Sequence, residues 1–102
     1  MAVNLHSKLE FDAFVAQQNR TVIVDFYADW CGPCQMLSPI LDAIESEKNG
    51  AVVIGKVNVD ENMDLAMAYK VVSIPFAVIF KNGTESGRFV GLQSKEEIEA
   101  ML

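Results

Sequence analysis

The run TVIVDFYA, residues 21–28, restricts the fold more than any other stretch of this chain. Its residues are β-branched or aromatic and apolar almost without interruption. A strand with one wet face alternates polar and apolar side chains. A continuous run suits a strand covered on both faces, as in a parallel sheet packed between helices. The interruption is Asp25, an ionisable carboxylate in a place where burial penalises the charged form and raises its proton affinity.

The remaining pattern fits that reading. Residues 2–5 suit a short edge strand, and Ser7-Lys8-Leu9-Glu10 has the form of a capping box. Phe11, Phe14 and Val15 follow at helical spacing. A second helical pattern runs from about Pro33 to Lys48, with Leu37, Ile40, Leu41 and Ile44 on one face and Pro39 inside it, where a kink is expected. Residues 51–59, AVVIGKVNV, read as another central strand, and Asp60 is placed to cap a helix reaching about Tyr69. Two β-like runs then flank Asn82-Gly83, a hairpin signal because both residues tolerate positive φ. Ser94-Lys95-Glu96-Glu97 offers a second capping box, opening a last short helix that carries Ile98, Met101 and Leu102. The order is β-α-β-α-β-α-β-β-α. Right-handed crossovers would put helices on both faces of a central mixed β-sheet ending in an antiparallel hairpin, an α/β fold. With 102 residues, 51% of them hydrophobic, and no repeat or linker, residues 1–102 are expected to form a single domain.

Charge and hydropathy exclude several functions. A net charge of −6 with only 8 scattered Lys and Arg residues gives no patch to meet phosphates, so no nucleic acid is expected as a partner. No apolar run approaches the roughly 18 residues of a membrane span. The start, MAVNLHSKLEF, shows no secretory signal, as would also be true of a processed chain.

The chain has two cysteines, too few for a disulfide scaffold, and they lie three apart in WCGPC. Cys31 and Cys34 fall where the buried strand gives way to a helix, with Pro33 suited to a first helical turn. Cys31 then faces unpaired amides and the positive end of the helix dipole, which favours thiolate over thiol. Cys34 lies one turn deeper, and this spacing can bring the sulfurs within disulfide range. One cysteine would attack and the other resolve. A structural disulfide closing so short a loop would constrain the unfolded chain little. Zinc needs about four ligands, and beyond the two thiols there is only the distant His6. A metal or cluster shared between two subunits, and inert core cysteines, remain the other readings.

VDFYADWCGPC resembles the active-site segment of the thioredoxin family, and the likeness covers nearly the whole chain. Pro39, Lys56 in GKVNVD, Ile74-Pro75, Phe80-Lys81-Asn82-Gly83 and Val90-Gly91 keep that family's order and spacing. The resemblance implies a thioredoxin fold and a protein-disulfide reductase that carries electrons by dithiol–disulfide exchange between Cys31 and Cys34. It implies that Asp25 accepts the proton of the resolving Cys34 and that Lys56 tunes Asp25. A cis Pro75 would face the cysteines, with the Ile74 backbone pairing an extended substrate segment. Trp30, Gly32, Pro33, Ile74, Pro75, Gly91 and Leu92 would form the contact surface. Disulfide-bearing proteins are the implied substrates, and a thioredoxin reductase, flavoprotein or ferredoxin-dependent, the implied partner. No cofactor or metal of its own is expected, nor a membrane, and the chain is expected to act as a cytoplasmic monomer.

Some positions depart from the family's pattern: Tyr27 where Trp is usual, Gln35 for a basic residue, Val72-Ser73 before Ile74, and Phe76, expected to add bulk beside the substrate groove. Two other classes of function stay open on sequence alone. One is a binding module using the apolar surface around Trp30 and Pro75; the other is a metal-bridged dimer.

Overall fold

In a computed structural model that describes all 102 residues, the first half of the chain forms β1 (Val3–Asn4), α1 (Lys8–Val15), β2 (Thr21–Tyr27), α2 (Gly32–Lys48) and β3 (Val52–Asn58). The second half adds α3 (Met63–Ala68), β4 (Phe76–Lys81), β5 (Thr84–Val90) and α4 (Lys95–Glu99). The strands make one sheet in the order β1-β3-β2-β4-β5. β3 pairs parallel with β1 and β2, whereas β4 runs antiparallel to both β2 and β5. The expected element order and mixed sheet are both present.

β2 lies at the centre because both its faces are apolar. Val22, Val24 and Phe26 point to one side, where Phe11 and Val15 of α1 and Leu65 of α3 cover them. Ile23 points to the other, under Leu37, Leu41 and Ile44 of α2 and Ile98 of α4. Each side chain of this size, fully buried, contributes roughly 1.5–3 kcal/mol. By strand alternation Asp25 shares the α2 face with Ile23. On the α1 face β3 carries Gly55, since a Cβ there would come within 2.8 Å of the Phe14 ring and 2.9 Å of Leu5.

Local signals act much as their chemistry dictates. Ser7 accepts from Glu10 N at 3.1 Å, although the returning Glu10 carboxylate takes the His6 N–H rather than that of Ser7. Ser94 and Glu97 form the full reciprocal box. Asn82 (φ 51°) and Gly83 (φ 80°) make the β4–β5 turn. α2 continues through Pro39 without a break. Two expectations are corrected. The cap position of α3 belongs to Asn62, not Asp60. Phe76 adds no bulk to a groove; it is buried edge-on to Phe26 with the Arg88 guanidinium over its ring, because strand alternation turns it to the α1 face.

Candidate active site

The two cysteines occupy the junction of the central strand and the longest helix. Cys31 is the N-cap of α2, and its Sγ accepts from the Cys34 backbone N–H at 3.2 Å. Gly32 and Pro33 fill the first two helical positions, where the missing proline N–H costs nothing. The sulfurs are joined as a disulfide across a Cα–Cα distance of 5.3 Å. Cys31 and Cys34 are 5% and 3% exposed, so in this oxidised state depth alone does not separate them as expected. They pack with Ala28 against Tyr27, Val59 and Ile74.

Around this pair the surface is apolar on one side. Trp30, 72% exposed, borders a groove of about 380 Å³ with Val59, Ala66, Val71, Val72, Ser73 and Ile74. The Ile74–Pro75 peptide is cis, and the Pro75 carbonyl accepts from Gly91 N at 2.7 Å. That bond brings Gly91 and the half-exposed Leu92 beside the proline. Of the candidate contact residues, Trp30 and Ile74 line the groove, and Pro75, next to Ile74, is tied to Gly91 by that hydrogen bond.

The other side is polar and partly enclosed. A cavity of about 290 Å³ is walled by Tyr27, Ala28, Asp29, Cys34, Gln35, Ser38 and Lys56. Asp25, two residues before the cavity-wall Tyr27 on β2, is fully buried, with no protein group hydrogen-bonded to either carboxylate oxygen. Its register partners are Lys56 on β3 and Ala77 on β4. Burial pushes its pKa up to about 6, the Lys56 charge opposing that rise and Asp42 adding to it. Lys56 does not ion-pair with it. Its Nζ donates to Ser38 Oγ at 3.1 Å and lies 4.6 Å from the centre of the Tyr27 ring. It is therefore held rather than freely solvated.

Two residues of this neighbourhood escape a reading of the sequence. Asp60 accepts from Trp30 Nε1 at 2.9 Å and so anchors the exposed indole. Ser38 anchors Lys56, and a signal for it exists: it stands four residues after Cys34 on an inward helical ridge, polar between Leu37 and Leu41. Gln35, in place of a cation, donates to the Asp29 carbonyl at 3.0 Å.

A cysteine pair joined at a helix N-terminus on this sheet, with an apolar groove on one side and a buried acid in the neighbouring strand, fits a thiol–disulfide oxidoreductase. Comparison with known proteins agrees throughout. The family model described as Thioredoxin matches residues 2–102. A thioredoxin of Chlamydia pneumoniae is 49% identical over 98% of this chain and 95% of its own length. The mitochondrial thioredoxin of Bos taurus is 37% identical over 97% of this chain and 60% of its own length. Among solved structures, a mutant thioredoxin from Halobacterium salinarum superposes with a TM-score of 0.88 at 35% identity, covering 98% of this chain and 86% of that one. The chain belongs to the thioredoxin family. Its disulfide is accordingly a redox-active one, with disulfide-bearing substrates and a reductase as general partners. No helix is long and apolar enough to cross a membrane.

Proposed function

We propose that this chain reduces disulfides in other proteins and serves as an electron carrier in cytoplasmic redox homeostasis. The Cys31 thiolate attacks one sulfur of the target disulfide, forming a mixed disulfide and releasing the other target sulfur as a thiolate, which takes up a proton. Cys34, its proton passed to Asp25, then attacks Cys31 Sγ. The Cys31–Cys34 disulfide forms, the second target thiol leaves, and two electrons have passed to the target. Lys56 sets how readily Asp25 takes the proton, while Trp30, Gly32, Pro33, Ile74, Pro75, Gly91 and Leu92 receive the target segment. A flavoprotein or ferredoxin-dependent reductase returns two electrons to the pair, and the chain works as a monomer.

The observation that carries this assignment is the Cys34 N–H directed at Cys31 Sγ from the first turn of α2, a donor placed to stabilise negative charge on that sulfur. The test is dithiothreitol-driven insulin reduction by wild type, Cys31→Ser and Cys34→Ser. Both substitutions abolish turnover, and Cys34→Ser accumulates a mixed disulfide through Cys31. Full activity in Cys31→Ser would sink the assignment. Re-reduction by one reductase class and not the other, with the purified enzymes, decides the partner.

A further inference from the structure

Lys56 presents an unusual arrangement for two opposite charges on neighbouring strands. Asp25 and Lys56 are register partners on the same face of the sheet, where strands lie about 4.8 Å apart. Yet no protein group hydrogen-bonds either carboxylate oxygen, and the ammonium donates to Ser38 instead. The place it goes is specific. Cys34, Ser38 and Asp42 stand at four-residue intervals and therefore form one ridge of α2. The middle member of that ridge takes the lysine, and the Tyr27 ring supports the ammonium from the strand side. The same cavity is bounded by Cys34, Ser38, Tyr27 and Lys56 together.

We infer that Ser38 is a positioning residue, whose hydroxyl moors the Lys56 ammonium at the cavity wall between Cys34 and the Asp25 strand and so fixes the positive charge that Asp25 feels. Without that hydroxyl the ammonium loses a hydrogen bond in a half-buried site. Moving inward to Asp25, which is already buried, would strip the ammonium of its remaining water, a cost the attraction repays only with excellent geometry and further hydrogen bonds. Moving outward restores hydration and needs only a rotation of a flexible side chain. The outward movement wins, and Asp25 is left with less compensating charge. The charged and titratable groups facing Asp25 are Lys56 from β3, Cys34 and Asp42 from α2 and Tyr27 from its own strand, whereas β4 presents Ala77. In the oxidised protein the cysteines do not titrate, so Asp25 can be followed without them.

The catalytic consequence rests on Asp25 being the proton acceptor proposed above, but the positioning itself can be read on Asp25 directly. The measurement is the pH titration of the Asp25 carboxyl carbon by NMR in oxidised wild type, Ser38→Ala and Ser38→Thr, each with Lys56 and with Lys56→Met. Ser38→Ala raises the Asp25 midpoint by about half a pH unit, Ser38→Thr restores it, and in the Lys56→Met background Ser38→Ala changes nothing. An unchanged or lowered midpoint in Ser38→Ala overturns the inference, as does a rise that persists without Lys56. The mixed-disulfide resolution rate, measured on the same variants and on Asp25→Ala, is a separate readout. If Asp25→Ala leaves that rate unchanged while the NMR midpoints move as expected, Asp25's role as acceptor fails and the mooring by Ser38 stands.

Discussion

Replacing Asp25 by Asn should stabilise the oxidised protein, and by an amount that depends on pH. The carboxylate is fully buried with no hydrogen-bond partner, and its pKa stands at about 6 against an ordinary value of 3.8. Each pH unit between the folded and unfolded titrations is worth about 1.4 kcal/mol, so this gap amounts to roughly 3 kcal/mol. The sign follows from proton binding. Between pH 4 and 6 the folded protein holds a proton that the unfolded chain has released, so wild-type stability falls as pH rises through that window. Below about pH 4 both states are protonated and the penalty vanishes; above about pH 6 it is fully present. Asn carries no charge at any of these values. Its amide brings a fixed cost of its own, but that cost is independent of pH and cancels when stability differences are compared across pH. Other carboxylates titrate alike in both proteins. Urea unfolding at pH 4 and pH 7.5, extrapolated linearly to water, should show the variant gaining about 2 kcal/mol on wild type between the two conditions, because at pH 4 the unfolded carboxyl is already more than half ionised. Parallel stability profiles would refute the reasoning, because a penalty that ignores pH cannot come from a buried charge.

Three further outcomes are expected. Gly55→Ala sets a methyl against Phe14 and Leu5 and should cost about 1–3 kcal/mol in urea unfolding, with Phe14→Leu relieving part of it. Asp60→Ala releases the Trp30 indole; as Trp30 is the sole tryptophan, time-resolved fluorescence anisotropy should show faster local motion with stability nearly unchanged. Ile98→Ala empties a fully buried position that ties the five-residue α4 to α2, and thermal unfolding should report a loss of about 2–5 kcal/mol.

Much of this fold can be read from residues whose effects are local. Ser94 and Glu97 close their own capping box, Asn82 and Gly83 turn their own hairpin, and the apolar run of β2 requires covering wherever it lies. The errors arise where a side chain's partner is distant in sequence. Asp60 reads as a helix cap because it precedes α3, but the Trp30 indole thirty residues earlier takes its carboxylate. Phe76 follows the proline of the site, and only its pairing opposite Phe26 settles which face receives its ring. The thiol pair announces itself by spacing. That Asp25 belongs to the same site depends on β2, β3 and α2 converging, and Ser38 gains significance only once the β2–β3 register has placed Lys56 beneath it.

The two outer strands of the sheet carry a consequence for the protein's behaviour in a crowded solution. At one border β1 offers only two residues, and at the other β5 exposes Thr84, Glu85, Ser86 and Arg88, with Glu85 and Arg88 bridged at 2.8 Å. A border so short on one side and so charged on the other is a poor template for a foreign strand, which guards against edge-to-edge aggregation. Any disulfide-bearing substrate that approaches brings backbone groups of its own. With both borders blunted, those groups find little to pair with along either edge of the sheet.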